Sequence, residues 1–231
     1  MLSIRFSFAF FPRFRGIMRK MKINFLGDSI TEGSLATTYQ KTFVYLVGEK
    51  GGFLTRNYGI GGTRFAKQRT PSQEAKYDRY FASRIAEMDH DADFVFVFGG
   101  TNDYGHGDAP FGQEGDRTPE TFYGAIDDLI RQLLQHYRKE QIVFIPPLYR
   151  VNEDSPWGDG SRKKPCPPLS AYRKAISEVA NSFGVRVFDI KDEIGKAENN
   201  PLIADGLHPN DKGHEKIADL IVNYIKTVLS K

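Results

Sequence analysis

A serine that leaves an apolar run on a tight polar turn is placed to act as a nucleophile. Gly27-Asp28-Ser29-Ile30, directly after Ile23-Asn24-Phe25-Leu26, has that arrangement. The hydroxyl of Ser29 needs a base to take its proton, a group to orient that base, and donors for the oxyanion that develops in acyl transfer. Three later segments supply candidates in order: Asn57 through Gly62, Gly99-Gly100-Thr101-Asn102-Asp103, and Asp205-Gly206-Leu207-His208.

Five histidines compete for the role of base. His90 and His136 precede the third and fourth apolar runs, at the ends opposite to Ser29. His214 lies one turn into the last helical stretch, where an exposed or capping role is expected. His106 falls in a long loop within reach of the site and is a candidate substrate contact. His208 is the expected base, because Pro209 disfavours helical geometry at His208 and suits the first helical position itself. Asp205, across the Gly206 turn, can accept from Nδ1 and leave Nε2 facing Ser29. The alternative is that Asp205 and Asp211 only cap the helix. For the oxyanion the candidates are the Ser29 amide, Gly62, where glycine permits close backbone approach, and the Asn102 side-chain amide. The competing reading of these glycines and of Asn102 is as turn formers and a loop cap.

The elements that must position these groups follow from periodicity. Strand candidates are 22–26, 53–57, 93–98, 141–146 and 185–190, nearly continuous in apolarity, as strands covered on both faces are. Between them run helical stripes: Tyr39, Phe43, Leu46 and Val47; Tyr77, Phe81, Ile85 and Met88; Phe122 through Tyr137, opened by Thr118-Pro119 as cap and first helical residue; Tyr172 through Phe183; and Ile217 through Val228. The alternation predicts an α/β fold, a three-layer α/β/α sandwich around a five-stranded parallel sheet of flavodoxin-like order. Ser29, Gly62, Asn102 and His208 then converge at the carboxyl edge of the sheet, where ligands bind in such folds. Two stretches expected to be irregular, 99–117 and 147–168, end at the same edge and are long enough to cover a site.

Composition narrows the class. The 231 residues are 40% apolar and 26% charged, ordinary for a globular protein. A net charge of +3 argues against nucleic acid or an anionic membrane as partner. The single Cys166 can form no internal disulfide, so no oxidising compartment is required. Ser7-Phe8-Ala9-Phe10-Phe11, interrupted by Arg5, Pro12 and Arg13, is too short for a signal-peptide core or a spanning helix. Residues 1–20 are expected to be an extension, or the product of a start assigned ahead of Met18 or Met21, and 21–231 a single domain in the cytoplasm. There is no Gly-x-Ser-x-Gly elbow, no P-loop, no dinucleotide fingerprint and no cluster with metal-ligand spacing, so neither cofactor nor metal is expected.

The four blocks, Gly27-Asp28-Ser29, Asn57 through Gly62, Gly100-Thr101-Asn102-Asp103 and Asp205-Gly206-Leu207-His208, together resemble the GDSL/SGNH hydrolases, a family of esterases and lipases. The resemblance runs from about residue 22 to the end of the chain. It implies Ser29 as nucleophile, His208 as base, Asp205 as its partner, and the Ser29 amide, Gly62 and Asn102 as oxyanion donors, with adjacent Gly61 as an alternative to Gly62. It fixes acyl transfer and leaves the substrate open among lipases, thioesterases and sugar deacetylases. Asp28, Tyr104, His106 and Trp157 are candidate substrate contacts. Tyr149, Arg150, Phe111, Arg117 and Arg162–Lys164 in the two long loops can stack a sugar or bind an acidic group, or form ordinary solvated loops. A small soluble ester is the expected partner, with an acyltransferase or a non-catalytic ligand-binding module as the competing functions.

Overall fold

A computed structural model describes residues 19–230, so the expected extension lies outside the described residues from 1 to 18. Five parallel strands, β1 (Lys22–Gly27), β2 (Leu54–Gly59), β3 (Phe94–Phe98), β4 (Ile142–Ile145) and β5 (Arg186–Val187), stand in the order β2-β1-β3-β4-β5. The register pairs Phe25 with Asn57 on one side and with Phe96 on the other. The α-helices are α1 (Ser29–Glu32), α2 (Phe43–Gly51), α3 (Thr101–His106), α4 (Phe122–Leu133), α5 (Leu169–Ser182), α6 (Lys191–Ile194) and α7 (Asp211–Leu229).

The alternation of side chains along each strand divides the core into two layers. Phe94, Phe96 and Phe98 of β3 join Ile23 and Phe25 of β1 under α2 and α7. Val95 and Val97 join Ile142 and Phe144 under α4 and α5. These strand residues are at most 5% exposed, and fully burying each such side chain is worth about 1.5–3 kcal/mol. The three-layer α/β/α arrangement follows, with the strand order expected. Among the described residues no helix is long and apolar enough to cross a membrane.

Several local expectations differ from the structure. Only Arg186 and Val187 of 185–190 form a strand. Phe188 still donates to the Phe144 carbonyl, but the Asp189 side chain then takes the Lys191 amide and turns the chain into α6. Tyr39 is 58% exposed in a 3₁₀ turn ahead of α2, because Thr42 adopts extended geometry and restarts the chain as the helix cap. The stripe Tyr77, Phe81, Ile85 and Met88 is carried by two 3₁₀ segments, Ala75–Asp78 and Phe81–Glu87, since Tyr80 is extended and the Phe81 amide bonds the Arg64 carbonyl. Helix α4 is capped by Thr121, whose Oγ1 takes the Gly124 amide, and Pro119 lies in the preceding turn with its carbonyl on the Lys67 amide. The stretch 99–117 is irregular only after α3, which Gly100 opens directly at φ 105°.

Candidate active site

Ser29 begins α1 two residues after β1 ends, with Asp28 between. Asp28 caps that turn, with Oδ1 accepting from the Ile30 amide at 3.0 Å. Gly33 closes it at φ 109°, its amide returning to the Ser29 carbonyl. Burial pushes the Asp28 carboxyl up to about 6. At 1% exposure Asp28 is a support of the nucleophile turn and does not reach a substrate.

The second block folds onto the first. Asn57 Nδ2 donates to the Thr31 carbonyl at 2.8 Å and Asn57 Oδ1 accepts from the Gly59 amide at 2.8 Å, joining the end of β2 to α1. A Cβ at Gly59 would lie 2.2 Å from the Glu32 nitrogen, so only glycine fits there. Gly62 then turns back at φ 73°, a left-handed geometry. The Gly61 amide is spent on Glu32 Oε2 at 3.0 Å, whereas the Gly62 amide makes no hydrogen bond among the described residues. In this the two glycines differ: Gly62, the expected donor, has an unspent amide, and Gly61, the alternative, does not.

Helix α3 fastens the same loop from the other side. Asn102 Nδ2 donates to the Thr63 carbonyl at 3.0 Å, and the Asp103 carboxyl accepts the Phe65 and Ala66 amides, each at 2.9 Å. Burial pushes Asp103 up to about 7. Behind the loop, Arg84 is 2% exposed and donates to the Gly27 carbonyl at 3.0 Å, the Tyr58 carbonyl at 2.6 Å and Thr63 Oγ1 at 3.2 Å. One guanidinium thereby links the strand before Ser29, the end of β2 and the loop after Gly62. Neither Arg84 nor Asp103 is visible as a site residue in the sequence, although Asp103 adjoins Asn102.

His208 reaches the site from 179 positions along the chain: Ser29 Oγ lies 2.9 Å from its Nε2. Its Nδ1 lies 2.8 Å from Asp205 Oδ2. An ionised carboxylate only accepts, so Nδ1 carries the proton and Nε2 is free to accept from Ser29. Asp205 Oδ1 also takes the amides of Leu207 and His208, at 3.0 and 2.7 Å. Burial acts to raise the Asp205 carboxyl, but these bonds outweigh it and hold the group below its ordinary range. Helix α7 starts later than Pro209 suggests. Pro209 pairs with Ile203 in a bridge, and Asn210 is the cap, its Oδ1 taking the Lys212 and Gly213 amides. Asp205 and Asp211 therefore do not cap α7.

A cleft of about 490 Å³ opens over Ser29 and His208. Ile60, Gly61 and Gly62 form its β2 side, and Asn102, His106, Arg150 and Asp159 its β3–β4 side. His106 is on α3 rather than in a loop, with Nδ1 3.0 Å from Asp159 Oδ2, and burial with the nearby Arg64 charge lowers its pKa. The other expected contacts are elsewhere. Tyr104 is fully buried, its ring edge-on to Tyr172 and its hydroxyl donating to the Asn152 and Ser155 carbonyls, so it shapes the loop from below. Trp157 is 49% exposed and lies outside the cleft lining. Tyr149 lines a separate cleft of about 390 Å³ in which Lys196 lies 3.8 Å from its ring centre. Arg162 is bonded to the Asp103 and Tyr104 carbonyls, and Phe111 stacks on Phe122. His214, expected to be exposed or capping, is fully buried: the Phe43 amide donates to its Nδ1 at 3.3 Å and its Nε2 meets the Ser34 carbonyl at 3.2 Å. His90 and His136 stack on each other with ring centres 3.8 Å apart. Among the described residues no group of three or more His, Cys, Asp or Glu is arranged to hold a metal.

The chain is similar to known proteins across this frame. A family model described as the GDSL-like Lipase/Acylhydrolase family matches residues 25–216. A multidomain esterase of Ruminococcus flavefaciens is 25% identical over 94% of the chain, and the chain spans about 30% of that relative's length. A solved structure of a Lactobacillus plantarum protein superposes with a TM-score of 0.74 at 29% identity, covering 90% of this chain and 97% of that one. A two-domain esterase active on acetylated mannans superposes at 0.59 and 21% identity, over 92% of this chain and 50% of its own, a likeness of fold.

Proposed function

The chain belongs to the GDSL-like lipase/acylhydrolase family, and from that premise we propose that it is a serine esterase acting on short-chain acyl esters, acetyl esters of carbohydrates among them. The observation that carries this reading is the relay from Ser29 Oγ to His208 Nε2 at 2.9 Å and from His208 Nδ1 to Asp205 at 2.8 Å.

In this reading Ser29 Oγ attacks the ester carbonyl as its proton passes to His208 Nε2. The carbonyl oxygen, now an oxyanion, is received by the amides of Ser29 and Gly62 and the Asn102 Nδ2. The tetrahedral species collapses when His208 returns the proton to the leaving alkoxide, releasing the alcohol and leaving acyl-Ser29. Water then attacks the acyl group, gives a proton to His208, and the carboxylic acid departs with Ser29 restored. Asp205, held ionised by the His208 amide and ring, keeps the imidazole in the required tautomer and stabilises it when it is doubly protonated. No step calls for a cofactor.

The short-chain part rests on the cleft, whose lining is mainly polar and offers Ile60, Tyr77 and Leu207 as its larger apolar side chains. The carbohydrate part rests on the printed activities of the relatives, one an esterase and one active on acetylated mannans. A cytoplasmic setting belongs to the same reading, since the half-buried thiol of Cys166 has no partner to oxidise with inside the chain. A fluorophosphonate should add its mass to the peptide carrying Ser29 and should not label Ser29→Ala. Across a series of p-nitrophenyl esters, turnover should peak at acetate or butyrate. Unlabelled wild type, or best turnover on octanoate or longer chains, would reject the reading.

A further inference from the structure

Each carboxylate of the cleft is engaged by the protein, and one of its cations has donors to spare. Glu32 Oε2 holds the Gly61 amide. Asp159 Oδ1 holds the amide and hydroxyl of Ser161, and its Oδ2 meets His106 Nδ1. Lys76 pairs with Glu74 at 2.9 Å. Arg150 differs from all of these. It is 8% exposed, and only its Nη1 makes hydrogen bonds among the described residues, to the carbonyl and hydroxyl of Thr101, each at 3.2 Å. Its Nε is buried without a partner. Nη2 donates to no described residue, and no described carboxylate forms an ion pair with the group. Asp159, Asp205 and Asp28 reach it only through space.

Holding a guanidinium out of water with donors unspent is costly unless an acceptor arrives. The planar fork of arginine matches a carboxylate, which can take two of its N–H groups at once. The position suits a substrate as well. Gly62, Ser29, Asn102 and Arg150 follow β2, β1, β3 and β4, the order of those strands in the sheet, so Arg150 lies beyond Asn102 from Gly62 in the same cleft. A Cβ at Gly105 would stand 2.8 Å from Arg150 Nη1, so α3 leaves the guanidinium room only because a glycine faces it. Arg64 is also buried with Nε and Nη1 unpartnered, but it does not line the cleft.

We propose that Arg150 is a specificity site that binds a carboxylate of the ester substrate, carried on either its acyl or its alcohol part; the assignment rests on the esterase reading above. The donor open to a substrate is Nη2, since Nε is buried and Nη1 is held by Thr101; neutral esters leave Nη2 without a partner and are the poorer substrates.

The test uses two matched pairs with wild type, Arg150→Met and Arg150→Lys. Ethyl hydrogen succinate against ethyl butyrate places the charge on the acyl part. The acetyl ester of methyl galacturonoside against that of methyl galactoside places it on the alcohol. For one pair, the ratio of kcat/KM for the charged over the neutral ester should fall about 10- to 100-fold in Arg150→Met, the scale of a hydrogen bond between charged groups. It should recover in part in Arg150→Lys. The pair that responds identifies which part of the substrate carries the charge. Each ratio is taken within one preparation, so partial misfolding cancels. If Arg150→Met does not fold, the wild-type preference and its reduction in Arg150→Lys decide. Ratios unchanged in both pairs overturn the carboxylate site. If wild type hydrolyses none of the four esters, the esterase reading fails instead, and calorimetry of succinate and galacturonate binding decides the site: equal affinity in wild type and Arg150→Met, or binding by neither, overturns it.

Discussion

The Gly61 amide donates to Glu32 Oε2 at 3.0 Å, which leaves its neighbour Gly62 as the backbone donor of that loop facing the cleft. In the esterase reading three donors, the Ser29 and Gly62 amides and Asn102 Nδ2, receive the oxyanion, and each can be weighed. Asn102→Ala should lower kcat by about 10²–10³-fold with a smaller change in KM, because the lost interaction strengthens as charge develops. Glu32→Ala releases the Gly61 amide and keeps all three donors, so it should cost less. Steady-state kinetics on p-nitrophenyl acetate separates the two; equal losses would mean that the loop, and not its donors, sets the rate.

Arg84 should carry much of the stability of the site's frame. Arg84→Met removes the side-chain donor to the Gly27 and Tyr58 carbonyls and leaves Thr63 Oγ1 with only its bond to the Ile60 carbonyl. The expected cost is about 2–5 kcal/mol in urea unfolding, from three buried hydrogen bonds to a charged donor lost together. Arg84→Lys, able to reach fewer of these acceptors from a single nitrogen, should fall between the two.

His214 should make stability depend on pH. Its Nδ1 accepts the Phe43 amide, and burial lowers its pKa below the ordinary histidine value of about 6.5. Below that value the unfolded chain takes up a proton that the folded chain excludes, so the unfolded state binds more protons and stability falls as pH falls. Urea midpoints of wild type should therefore drop between pH 7.5 and 5.5 by more than those of His214→Gln. Equal drops would sink this assignment.

Gly59→Ala should be among the most damaging small substitutions in the chain. The added methyl would stand 2.2 Å from the Glu32 nitrogen, a backbone atom that cannot move aside without displacing α1 and Ser29 with it. Loss of about 1–3 kcal/mol or more is expected from such overpacking. Thermal unfolding reports the stability loss, and the rate of fluorophosphonate labelling reports the displacement of Ser29.

The strands and their order were legible because each is a short, nearly unbroken apolar run, and a parallel sheet with helices on both faces asks for that pattern. Ser29, His208 and Asp205 were legible as a group because topology brings strand ends and the last loop to one edge, where the structure holds them within hydrogen-bond distance. Boundaries were less legible. Thr118-Pro119 and Thr121 both carry cap chemistry, and the choice fell to Asp116, which accepts the Thr121 hydroxyl at 2.8 Å. The contacts of Tyr104 and Trp157 could not be read either, since an aromatic in a long loop has the same local pattern whether it faces a ligand or the core. Arg84 was hidden for a related reason: an arginine in an otherwise apolar stripe reads as a solvated interruption until three acceptors surround it.

The long reach between Ser29 and His208 has a consequence for synthesis. A chain still emerging from the ribosome presents its hydroxyl well before the imidazole partner, 179 positions later, has been translated. In the esterase reading, the growing polypeptide lacks its base until α7 packs against α2 and the preceding loop brings His208 to Ser29. In that reading such a chain stays silent toward esters until the segment carrying His208 has been made and folded.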